Sequence, residues 1–216
     1  MNKSTIEEIQ KFLKVHRTQF YESAKFSNLT GQPVPSDTRA WSQILVSMLS
    51  GIRGQDRGKG PDFKDGSDVK AANTWLAIDT PRFNGCLPCG RTSVKSNIGE
   101  SVDSLQKEPY LYFALWDTEE VSKADRCRVW VVRPFYDALF KEMARLWYAD
   151  RALGIIKSDN FQLHPPRNKN NDVLKNTYGT FSYPKLLEAV WDDSQKEYKA
   201  SVFSDIMTTG AVLPVV

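Results

Sequence analysis

Histidine is almost missing from this sequence. The 216-residue chain holds two, His16 and His164, so no paired metal-binding histidines and no histidine-based nuclease motif can be built from it. Cysteine is nearly as scarce. Three residues, Cys86, Cys89 and Cys127, are too few and odd in number for a disulfide framework. Cys86-Leu-Pro-Cys89 has the spacing of half a zinc site, but a matching second knuckle is lacking, and the pair reads as two small residues near a turn. No apolar run approaches the roughly 20 residues of a membrane span, and Glu7 and Glu8 stand where a signal peptide would need an apolar core. Neither charge sign dominates: 29 Lys and Arg face 26 Asp and Glu, a net of +3. That balance permits binding to a polyanion without requiring it. A reduced, cytoplasmic protein is the expectation.

What remains is an ordinary globular composition, 41% hydrophobic and 25% charged, at a length suited to one domain. Ser4 or Thr5 can cap a helix over residues 4–27, with Ile6, Ile9, Leu13 and Phe20 at helical spacing and His16 on its solvent side. After the breaker Gly31-Gln-Pro-Val-Pro-Ser36, a helix over 38–50 carries Trp41, Ile44, Leu45, Met48 and Leu49 on one face. Residues 51–60 form a basic loop with four glycines. It lacks the G-x-x-x-x-G-K-[ST] order of a nucleotide-phosphate cradle. Residues 110–116 and 126–133 read as strands. Pro134 is expected to open a helix reaching about Asp150, with Leu139, Met143, Leu146 and Trp147 on one face. Residues 158–184 read as irregular, and a short helix is expected near Pro184–Trp191. The plan is α/β or α+β: a central mixed sheet flanked by helices.

The chemistry sits in Pro61-Asp-Phe-Lys-Asp-Gly-Ser-Asp-Val-Lys70. Asp65-Gly66 is a hairpin turn signal. With Asp65, Gly66 and Ser67 as a three-residue loop, Lys64 pairs with Asp68, Phe63 with Val69 and Asp62 with Lys70. Asp62, Lys64, Asp68 and Lys70 then share one face, and the two carboxylates, diagonal neighbours about 7 Å apart at the backbone, lean toward one point. They repel unless a cation lies between them. Magnesium accepts oxygen ligands of this kind, and a lysine beside it can steady charge building on a phosphate. A charged tip of this composition is ordinarily a solvated turn, so the pattern alone leaves both readings open.

Pro61-Asp62 followed closely by Asp68-Val69-Lys70 resembles the PD-(D/E)xK motif of the restriction-endonuclease superfamily. The short spacing is similar to the compact hairpin of the mismatch-repair nicking enzyme MutH and its restriction-enzyme relatives. Gly66-Ser-Asp-Val-Lys-Ala-Ala-Asn73, followed by Ile78-Asp-Thr-Pro-Arg-Phe-Asn-Gly85, resembles type II restriction enzymes of the MamI sort. The resemblance covers about residues 40–117. It implies catalytic roles for Asp62, Asp68 and Lys70, with metal held by Asp62, Asp68 and the carbonyl of Val69. The sequence departs from the pattern in its short spacing, in an aspartate at 68 where many members have glutamate, and in having no acid on the 38–50 helix. Glu22 is the candidate for an accessory acid, and Lys107 for the second lysine of MutH-like enzymes.

The resemblance further implies a single endonuclease domain over residues 1–216, with a catalytic core at about 37–150 and a C-terminal part, 151–216, for DNA recognition or dimerisation. The implied cofactor is Mg2+, and the implied partner is double-stranded DNA cut by a homodimer. No nucleotide cofactor and no membrane are expected. Candidate DNA contacts are Arg53, Arg57, Lys59, Arg82, Asn84, Arg91, Lys95, His164, Arg167 and Lys169, since basic side chains neutralise phosphates and arginine and asparagine read purine edges. A monomeric repair nickase and a non-cutting DNA-binding module stand as alternatives.

Overall fold

A computed structural model describes residues 3–56, 60–77, 80–88 and 101–203. Helix α1 spans Ile6–Thr30. Thr5 and Glu8 cap it reciprocally, the hydroxyl accepting from the Glu8 amide and the Glu8 carboxylate from the Thr5 amide; this satisfies two otherwise orphaned donors. Its buried stripe, Ile9, Leu13, His16, Phe20 and Ala24, runs straight through His16. The expectation of a solvated His16 is therefore corrected: the ring lies 4.2 Å from Trp116, 4.7 Å from Trp41 and 5.5 Å from Trp75. Burial lowers its pKa to about 4, and the imidazole is neutral core. Helix α2, Arg39–Ser50, matches its predicted span and is tied to the sheet by a Trp116 indole N–H donated to Ser42 Oγ.

Five strands make the central sheet. They are β1 (Asp68–Asn73), β2 (Leu111–Thr118), β3 (Asp125–Val132), β6 (Lys185–Asp192) and β7 (Glu197–Val202), in the order β1-β2-β3-β6-β7. The β1–β2 pair is parallel and the others are antiparallel. Strands β4 (Val173–Asn176) and β5 (Gly179–Ser182) form a separate hairpin. Strands β2 and β3 are buried almost end to end because both faces of the sheet are covered, which explains the apolar runs at 111–116 and 129–132. Tyr112, Ala114 and Trp116 face the core under α1 and α2. Leu111, Phe113 and Leu115 face a second core with helix α3 (Ala138–Ala152), the 83–87 segment and Phe161.

Three expectations change here. Helix α3 begins at Ala138 because Asp137, not Pro134, supplies the acceptor for an orphan amide, that of Phe140 at 2.7 Å. The stretch at Pro184–Trp191 is strand β6 rather than helix. Leu187, Ala189 and Trp191 alternate into the core, and β3 and β7 satisfy its backbone on both sides. Residues 158–184 contain the β4–β5 hairpin.

Candidate active site

The acidic segment is folded against the glycine-rich loop ahead of it. Phe63 bridges Gly54, the Gln55 amide donates to the Asp62 carbonyl, and the Lys64 amide donates to the Arg53 carbonyl. Residues 62–64 thus pair with 53–55 and not with 68–70, correcting the predicted hairpin. A three-residue turn does follow, but it comprises Lys64, Asp65 and Gly66: the Phe63 amide donates to the Ser67 carbonyl and the Gly66 amide to the Phe63 carbonyl. The Asp65 carboxylate accepts from both the Ser67 amide and its hydroxyl, which shifts the turn by one residue. Gly66 has φ +96°, and a Cβ there would stand 2.6 Å from the Lys107 carbonyl oxygen, so only glycine fits without movement. Lys64 is exposed and leaves the predicted face.

The shift places Asp62 across from Asp68 where β1 begins. The Val69 amide donates to Asp62 Oδ2 at 2.9 Å and to Asp68 Oδ1 at 2.8 Å. Lys70 Nζ lies 2.6 Å from Asp68 Oδ2. Gln43, reaching from α2, donates to Asp62 Oδ1 at 2.5 Å. Asp62, Asp68 and Lys70 are therefore brought together, by a turn other than the expected one.

Burial, then the hydrogen bond and charge of Asp68, push the Asp62 pKa up to about 7. Burial also works to raise Asp68, but the hydrogen bond from Asp62 and the Lys70 ammonium outweigh it and hold that carboxyl low. Lys70 is kept charged by Asp68 against its own burial. Below about pH 7 the acidic pair thus shares one proton, a state that a bound cation would relieve.

Glu108, just ahead of β2, belongs to the same electrostatic group. Burial and the neighbouring Asp68 raise its pKa to about 8. With Asp68, Ser104 and Lys107 it lines a cavity of about 330 Å³. Gln43 and Glu108 were not singled out from the sequence. Gln43 is a neutral residue in a helix face, and the fold places Glu108 near Asp68 only because β1 and β2 run parallel. Glu22 is corrected as an accessory acid, since it pairs with Lys25 on the exposed side of α1. Among the described residues no cluster of three His, Cys, Asp or Glu side chains is gathered as a metal site.

Asp62, Gln43 and Arg39 border a second cavity of about 460 Å³. Arg39 also lines a groove of about 780 Å³ along the outer edge of β1, with Ala71, Asn73, Arg82 and Asn84. Arg82 and Asn84 are exposed on either side of buried Phe83, which pairs with Leu163. His164 is bridged to Lys175 through its backbone, Arg167 is exposed, and Lys169 pairs with Glu120 at 3.0 Å. Arg57, Lys59, Cys89, Arg91 and Lys95 lie outside the described residues.

The sequence model of the MamI restriction endonuclease matches residues 25–198, a span holding Gln43, Asp62, Asp68, Lys70 and Glu108. The chain belongs to the MamI restriction endonuclease family. The type II restriction enzyme MamI of Microbacterium ammoniaphilum is 31% identical over 170 residues, which is 76% of this chain and 54% of that enzyme. The chain thus spans about half the length of that relative. No solved structure matches it. A mixed five-stranded sheet flanked by helices is the α/β architecture expected of a restriction-endonuclease-like core, and type II restriction endonucleases generally need a divalent metal. No helix among the described residues is long and apolar enough to cross a membrane.

Proposed function

We propose that this MamI-family protein is a sequence-specific, magnesium-dependent endonuclease of double-stranded DNA, a type II restriction enzyme. The observation that carries the reading is the convergence of Asp62, Asp68 and Lys70, with two carboxylates close enough to share a proton. That donor set fits a hard cation: Asp62 and Asp68 would hold it through carboxylate oxygens, with the Val69 carbonyl as the backbone ligand. Bound there, magnesium would supply Lewis acidity and make attacking water more acidic. Gln43 fixes one oxygen of Asp62, and the Val69 amide orients both carboxylates. Lys70, paired with Asp68, is poised to orient the water and to steady negative charge on the phosphate. The groove beside β1 offers a course for the strand leading into the site, and Arg39, Arg82 and Asn84 supply donors along it. Cutting both strands of a palindromic site calls for a two-fold dimer.

A plasmid digest with magnesium tests this, comparing the wild type with Asp62→Ala and Lys70→Ala. Discrete fragments from the wild type, lost in both variants, are expected. Full activity in either variant removes the site assignment. Nicking without linearisation by a monomer in gel filtration indicates a MutH-like nickase, and intact plasmid a non-cutting module.

A further inference from the structure

Strands β2 and β3 carry a buried ionic cluster that the catalytic reading does not use. Asp117, Arg126 and Arg128 are 0%, 0% and 1% exposed. Two cations face one anion there, with Glu188 and Asp172 at 3.8 and 4.0 Å as partial balance. Burying such charges is costly unless their hydrogen bonds are filled, and apolar side chains of like size often stabilise a fold as well. Apart from Arg128 Nε, which has no partner among the described residues, the donors are filled by Asp117 and by one loop. Arg128 donates to the carbonyls of Pro166 and Asn171. Arg126 donates to the Lys169 carbonyl and the Asn170 side chain, and Asp117 accepts from the Asn168 amide.

The loop is also fastened from its outer side. Asn168 Oδ1 takes the Thr118 amide at the end of β2, and Glu120 takes the Asn170 amide and Lys169 Nζ. Asn168 sits at φ +53°, which this web of contacts holds in place. Arg167 is the exception. It is exposed, and among the described residues its guanidinium has no ion pair or hydrogen bond.

We propose that the Pro166–Asn171 loop is a pre-set DNA-reading element, with Arg167 as its base-contacting residue and the Asp117–Arg126–Arg128 cluster as the device that positions it. The inference rests on the endonuclease reading. An immobilised loop presenting a free planar fork suits bidentate recognition of a base edge, most often guanine, because little ordering entropy is left to lose. The loop abuts the C-terminal ends of β1 and β2, whereas the acids lie at the N-terminal end of β1. Five strand steps from Asp68 to Asn73 cover about 17 Å, or about five base pairs at 3.4 Å each.

The test is deep sequencing of the fragment ends from a digested plasmid or genomic DNA, for the wild type, Arg167→Ala, Arg167→Lys and Asn170→Ala, with melting temperatures measured alongside. In Arg167→Ala, discrimination at one position about five base pairs from the cut falls about 10- to 100-fold. Arg167→Lys does not restore it, since an ammonium lacks the fork. Asn170→Ala takes an acceptor from the buried Arg126 guanidinium, so it melts a few degrees lower, still folds, and blurs the same position. An unchanged set of cut sites in Arg167→Ala, or full rescue by lysine, overturns the inference and leaves the endonuclease reading standing. A wild type that leaves DNA intact overturns both.

Discussion

Asp62→Asn separates the work of this site from the stability of the fold. Asparagine mimics the protonated acid: one side-chain oxygen still accepts from the Val69 amide, and Gln43 need only turn its amide over to accept from the new Nδ2. What disappears is repulsion from Asp68. Two like charges about 4 Å apart repel by about 4 kcal/mol at an effective dielectric of about 20. Lys70, 2.6 Å from Asp68, and solvent reaching the partly open site reduce this to about 1–2 kcal/mol.

The raised Asp62 pKa sets the pH window for this effect. The folded protein binds the proton more tightly than the unfolded chain, so this contribution is complete below pH 3.8 and is lost as pH rises through about 7. In EDTA at pH 8, Asp62→Asn is therefore expected to melt higher than the wild type, by about 2–8 °C at this chain length, and at pH 5 by much less. Magnesium at 100 times its dissociation constant raises wild-type stability by about 2.7 kcal/mol, raises the variant far less, and leaves the variant unable to cut. Differential scanning calorimetry across pH, with and without the metal, reads all of this. A variant less stable than wild type at pH 8, or equally stabilised at pH 5 and 8, refutes the reasoning.

Glu108→Gln follows the same logic one step higher. The wild type loses stability as Glu108 ionises between about pH 4.5 and 8, so the variant gains in melting temperature at pH 9 and not at pH 4. Gly66→Ala forces a methyl onto the Lys107 carbonyl at a positive φ. A cost of about 1–3 kcal/mol, read by urea unfolding, should come with a loss of cleavage, because the same turn aligns Asp62 with Asp68. Gln43→Leu removes a donor from Asp62 without adding charge. Metal affinity measured by calorimetry is expected to fall about 10- to 100-fold, as for other residues that orient a ligand, while the protein still folds.

The elements with the clearest periodicity were legible in the sequence. The spacing of Trp41, Leu45 and Leu49 specifies α2, and the apolar stretches within 110–116 and 126–133 mark strands. Asp62, Asp68 and Lys70 could be named because acids and a lysine at that spacing resemble a known motif. Local pattern failed where tertiary partners outbid it. Leu186 to Trp191 is short enough to suit either helix or strand, and the open edges of β3 and β7 made it β6. His16 sits at a stripe position that hydropathy marks as polar, yet three tryptophans from distant segments close over it.

The turn is the instructive case. Asp65-Gly66 announces that the chain reverses, but register depends on which backbone lies alongside, and that backbone is residues 53–55. Gln43 and Glu108 were out of reach for the same reason. They meet the acids only because α2 packs on β1 and β1 runs parallel to β2, contacts between residues tens of positions apart. Local spacing and the family resemblance thus singled out Asp62, Asp68 and Lys70 as candidates. Long-range packing alone decided which oxygens face each other, what holds them, and how their protons are shared.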